Sequence, residues 1–145
     1  MKKERFCIGC NGLLTTRYKI KFCSNKCQGD FKQRNWVELW KKGQVQGNIG
    51  ITSRNISTHL RKYLIEKFYN KCSICGWSQK HPITGIVPLE IEHIDGNSEN
   101  NQENNLKLLC PNCHALTSFY KNLNRGNGRK WRMNKYIKNQ IGGKI

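Results

Sequence analysis

The sequence has no apolar run of 18 or more residues, and its first residues, MKKERFCIGC, are not followed by an apolar h-region. Neither a membrane span nor a secretory signal is expected, so the expected setting is intracellular and cytoplasmic, with reduced thiols. Acids are scarce. Nine Asp and Glu stand against 26 Lys and Arg, a formal net charge of +17, and no acid occurs after Glu103. That excess is too large for an ordinary solvated surface and implies a polyanionic partner. There is no internal repeat and no low-complexity tract. Length is also short: 145 residues do not supply one generous apolar core, and one or two small domains of this kind need staples.

The eight cysteines offer those staples. They fall as close pairs: Cys7 with Cys10, Cys23 with Cys27, Cys72 with Cys75, Cys110 with Cys113. Two sulfurs two or three residues apart sit on one knuckle and suit a shared ion, whereas disulfides usually join cysteines distant in sequence. The bland alternative is a set of buried free thiols. Double pairing at ligand spacing argues for metal instead, and predicts two structural zinc ions, one on each set of four.

Punctuation divides the chain. Cys7 to Cys27, C-x2-C then C-x3-C, reads as a zinc ribbon or treble-clef-like module. A helix is expected from Phe31 to Lys42, with Trp36, Leu39 and Trp40 at i, i+3, i+4 and Gly43 as its stop. Those tryptophans are expected to pack against the knuckle rather than stack on bases. Residues 43–52, GQVQGNIGIT, read as a linker. A second helix is expected from about Ser57, with Ile56, Leu60, Leu64 and Phe68 on one face. Residues 126–145 form a basic, acid-free tail, partly helical from Trp131 to Gln140 or ordered on a partner.

The acids crowd between Glu90 and Glu103, and a carboxylate cluster in a basic protein is where a divalent cation is sought. The same stretch lies between Cys75 and Cys110, so a closed four-sulfur site would clamp the base of whatever it encloses, leaving no open position for catalysis. PLEIEHI reads as a strand, Asp95-Gly96-Asn97 as its stop with Asp95 serving the turn, LKLLC as a second strand, and PNCHALTSFY as a helix opened by Pro111. The result is a small α+β protein built on a ββα unit. Histidines His59 and His81 carry no such context and are read as incidental.

Here IEHIDGN followed by NNLKLLCPNCHALT resembles the signature of the HNH, or ββα-metal, nucleases, with the similarity covering about Arg54 to Arg125. KFCSNKCQGDFK is similar to a zinc module found ahead of such domains in some phage and mobile-element nucleases. The resemblance implies a metal-dependent DNA endonuclease in which His93 is the general base and His114 a ligand of a catalytic Mg²⁺ or Mn²⁺. It makes Glu92, where the family has Asp or His, the second ligand, and Asn105 the residue that holds the base's loop. The residue types suit that chemistry independently: an imidazole with a pKa near ~6.5 takes a proton from water at neutral pH, and a hard cation absorbs phosphate charge. Each has a plainer reading: a buried structural histidine for His93, an alternative zinc ligand for His114, a surface salt bridge for Glu92.

The expected organisation is a zinc module and helix at 1–42, a linker at 43–52, an HNH domain at 53–125 and the tail at 126–145. Double-stranded DNA is the expected partner, contacted through Arg54, Arg61, Lys62, Lys121, Arg125, Arg129, Lys130 and Arg132. A homodimer is left open, as are homing, restriction and phage-packaging roles, the last placing the chain in a host cell. Two competing readings remain: a DNA-binding zinc module that no longer cuts, and a protein acting on RNA.

Overall fold

A computed structural model describes residues 4–49 and 55–125, and the chain divides into two compact units, residues 1–45 and 46–145. The first unit opens with a bridge between Phe6 and Leu13 that closes the Cys7–Cys10 knuckle, where the Cys7 N–H donates to Gly12 O and Asn11 N–H to Cys7 O, both at 2.8 Å. Helix α1 spans Asn25–Lys41. It begins six residues before the expected Phe31, because Ser24 is its cap: the Ser24 hydroxyl accepts from Cys27 N–H at 3.0 Å, so the second cysteine pair straddles the helix start. Trp36 and Trp40 stack along α1 with ring centroids 6.0 Å apart, and Trp40 is buried.

The second unit holds the larger core. Strand β1, Asn48–Ile49, pairs antiparallel with β2, Asn55–Ile56, so part of the segment read as a linker is built into the sheet. Helix α2 spans Thr58–Lys67, capped by Ser57, whose hydroxyl accepts from Leu60 N–H at 3.1 Å. Its Leu60 and Leu64 are fully buried. Strands β3, Glu90–His93, and β4, Leu106–Leu109, form an antiparallel hairpin in which Glu90 faces Leu109 and His93 faces Leu106. Helix α3 covers Pro111–Ala115 and is shorter than the expected ten residues, since Leu116 N–H turns back to Cys113 O and the Thr117 hydroxyl takes His114 O at 2.9 Å. Among the described residues no helix is long and apolar enough to cross a membrane.

One apolar cluster joins these parts: Cys72, Val87, Leu89, Leu108, Leu109 and Cys110, with Ile65 and Phe68 packed against it. Two members are thiols of the expected clamp, so the core and the metal donors are contiguous. The loop leaving β3 turns at Gly96, whose φ is +70°; a Cβ there would also lie 2.6 Å from the Phe119 ring. Truncating Leu108, which has no exposed surface, should therefore cost about 2–5 kcal/mol, read as a lowered denaturant midpoint for Leu108→Ala at unchanged slope.

Candidate active site and metal centres

Four thiols converge twice. Cys7, Cys10, Cys23 and Cys27 place their sulfurs within 4.8 Å of one another, as do Cys72, Cys75, Cys110 and Cys113. Sulfur separations of 3.4 Å (Cys7–Cys27), 3.7 Å (Cys10–Cys23) and 3.8 Å (Cys75–Cys110) are far too long for disulfides. They match the edge of a tetrahedron, about 3.8 Å when each metal–sulfur bond is ~2.3 Å. Burial pushes the Cys7 and Cys72 thiols up, but backbone N–H groups aimed at them outweigh it and bring both down to about 6. Cys27 and Cys113 are instead pushed up to about 12, first by the adjoining sulfurs of Cys7 and Cys75 and then by burial. Four thiolates cannot stand side by side without a cation, and the donor sets fit one.

The hairpin brings a second set of donors to α3. His114 lies on the first turn after the Cys110 cap, and its Nε2 is 2.9 Å from Glu92 Oε2, while its Nδ1 meets Glu90 Oε2. Residues i and i+2 of a strand share a face, which is why both carboxylates reach one imidazole. Glu92 is 9% exposed, unusual for a carboxylate, and forms part of the wall of a cleft of about 270 Å³ with Ile94, Lys107, Leu116 and Phe119. A pair of donors about 3 Å apart fits two neighbouring corners of an octahedral site with ~2.1 Å bonds, so Glu92 and His114 suit a hard divalent cation.

Asn105 organises the loop between the strands. Its Nδ2 donates to Asp95 Oδ1 and to Asn100 O, both at 2.8 Å, and its Oδ1 accepts from Asp95 N–H at 3.0 Å. Asp95 also accepts from Asn97 N–H at 2.8 Å and Asn100 Nδ2 at 2.7 Å; burial pushes its carboxyl up, but these donors hold it below the usual carboxylate range. His93 ends β3, its Nε2 3.0 Å from Asn101 Oδ1.

Not all expected residues gather here. Arg61 donates to Leu89 O at 3.4 Å, Lys62 pairs with Glu66 at 3.8 Å, and the Lys121 ammonium lies 4.9 Å from the Tyr120 ring centroid. Arg125 closes the described chain; Arg54, Arg129, Lys130, Arg132 and the expected tail helix lie outside the described residues. Sequence reasoning missed Glu90, although its spacing two before Glu92 was a signal. It also missed Asn101, which nothing in an Asn-rich loop singles out. His81 is not idle: its Nδ1 accepts from Ile83 and Thr84 N–H, both at 3.3 Å.

A two-stranded hairpin closed by a short helix, clamped at its base by four thiols and carrying a carboxylate and an imidazole on one face, defines a ββα-metal unit. Residues 72–118 match the model of the family described as HNH endonuclease. Over 102 residues it is 50% identical to the H-N-H endonuclease F-TflIV of Escherichia phage T5, an alignment covering 68% of this chain and 40% of that protein. The chain thus spans well under half the length of this curated relative. No solved structure matches it significantly.

Removing the loop's organiser tests this geometry. Asn105→Ala should lower stability by about 1–3 kcal/mol, since it removes one of the donors to Asp95 and leaves the Asp95 N–H without its acceptor. Faster hydrogen exchange confined to residues 95–101 would locate the effect; an unchanged exchange pattern would show the network to be dispensable.

Proposed function

We propose that the chain is a metal-dependent DNA endonuclease whose HNH domain hydrolyses phosphodiester bonds. The observation that carries this is the approach of His114 Nε2 to Glu92 Oε2 at 2.9 Å, on the ββα hairpin that matches the family model. The excess of +17 supplies the attraction to a polyanion, and Glu92, almost buried beside His114, supplies a carboxylate for a small cation. Arg61, Lys62, Lys121 and Arg125, with Arg54, Arg129, Lys130 and Arg132, are the residues we assign to the DNA backbone. Double-stranded DNA is the substrate we favour.

Glu92 and His114 would hold Mg²⁺ or Mn²⁺, which when bound would supply positive charge to the phosphate and the leaving oxygen. His93 accepts the proton of the attacking water. Asn105 keeps the loop after His93 from swinging away, so that the base stays in place. The products are 5′-phosphate and 3′-hydroxyl ends, and one such centre cuts one strand per encounter.

Supercoiled plasmid with and without Mg²⁺ or Mn²⁺ tests the whole reading by its nicked or linear product. His93→Ala should cut about 10²-fold more slowly or worse, with no change in the metal concentration required. Glu92→Ala and His114→Ala should instead raise that concentration, because a two-ligand site that loses one retains little grip. A wild type that binds DNA but cuts none with any divalent ion would leave a silent DNA-binding module.

We assign zinc to both four-thiol sets, giving two tightly held ions per chain by elemental analysis after dialysis. Chelation that strips them should unfold the protein, as structural zinc contributes on the order of 10 kcal/mol or more. Ligation requires thiolates, and Cys27 and Cys113 carry protons at neutral pH. Zinc uptake at pH 7 should therefore release protons to an indicator dye. Apparent affinity should rise with pH, as more of the thiols are then already ionised.

A further inference from the structure

A histidine that takes a proton from water must present one nitrogen with a free lone pair, in a ring that does not spin. The His93 ring meets Asn101, whose Oδ1 lies 3.0 Å from Nε2. A further bond agrees with that orientation of the amide: Asn101 Nδ2 donates to Glu99 O at 3.4 Å, with the oxygen toward the imidazole. An amide oxygen only accepts. Nε2 must then carry the hydrogen, and in the neutral ring Nδ1 is the nitrogen left free to take a proton.

Asn101 has little room to retreat. It is 8% exposed, and Gly47, buried just before β1, stands directly behind it. A Cβ at position 47 would come within 2.6 Å of Asn101 Cβ and 2.7 Å of Leu60 Cδ2. The Gly47 backbone is itself tied down, its carbonyl accepting from Ser57 N–H at 2.8 Å at the head of α2. The chain of contact therefore runs from the cap of α2, through a glycine, to a buried amide, to the imidazole.

We propose that Asn101 is the positioning residue of His93, fixing its tautomer and aiming Nδ1 at the attacking water, with Gly47 as the backstop that holds Asn101 forward. This rests on the reading of His93 as the base. Asn101→Leu, nearly isosteric, should lower kcat by roughly 10- to 100-fold with KM and metal requirement unchanged, as expected when a catalytic group is misplaced by about an ångström. Asn101→Asp keeps the acceptor and should retain most of the rate. The decisive measurement is a double-mutant cycle in single-turnover cleavage: in a His93→Ala background, Asn101→Leu should cost nothing more. An equal loss in both backgrounds would make Asn101 merely structural and overturn the proposal. Long-range ¹H–¹⁵N correlation of His93 provides a readout without cutting, with Nε2–H expected in the wild type and a mixture in Asn101→Leu; a wild-type Nδ1–H tautomer overturns the assignment.

Should Leu at position 101 prevent folding, Gly47→Ala takes its place in the cycle, with loss only where His93 is present as support and loss in both backgrounds as refutation. His93→Ala cutting at wild-type rate would remove the base reading and this proposal together. A dead His93→Ala beside a fully active Asn101→Leu would remove only this one.

Discussion

The convergence of Cys72, Cys75, Cys110 and Cys113 is the constraint on which the second unit depends. A hairpin of two four-residue strands is marginal in water by itself, and the apolar cluster beneath it is small. The clamp joins the knuckle at 72–75 to the point where β4 becomes α3. Cys110 acts there in three capacities: it is a buried member of the core, the cap whose sulfur accepts from Cys113 N–H, and a donor of the four-thiol set. His114 follows one helical turn later, so the imidazole inherits its position from the clamp.

The first unit uses the same plan. A cysteine knuckle comes first, and the second pair sits at a helix start, Cys27 in the first turn of α1 as Cys113 is in α3. The N–H groups that favour thiolates lie instead at the knuckles, around Cys7 and Cys72. Each short chain segment thereby gains a fixed point that its apolar content alone would not provide.

Much of this was legible in the sequence because its signals are local. Ligand spacing placed the four cysteine pairs, alternation marked β3, a short apolar run marked β4, and Pro111 marked the start of α3 with His114 inside it. What was not legible depends on contacts between distant segments. Strand β1 exists because Asn48 and Ile49 pair with Ile56 and Asn55, which no periodicity in two residues announces. Asn101 is one of many asparagines in its loop, and only the folded register turns it rather than Asn100 or Asn104 toward His93. Helix ends failed for a related reason: the apolar stripe beginning at Phe31 outweighed Ser24, a cap readable in principle, while Thr117 ended α3 by taking a carbonyl with its side chain. The pairing of Glu92 with His114 needed both kinds of information, local strand phase and a hairpin that returns the helix to the same face.

The placement of His114 one turn beyond Cys110 also orders events in the life of the molecule. A newly made chain whose thiols have not met an ion has the carboxylates of β3 but no fixed imidazole opposite them. Assembly of the Glu92–His114 pair is thereby tied to the four thiols, because the helix that carries the imidazole starts from Cys110.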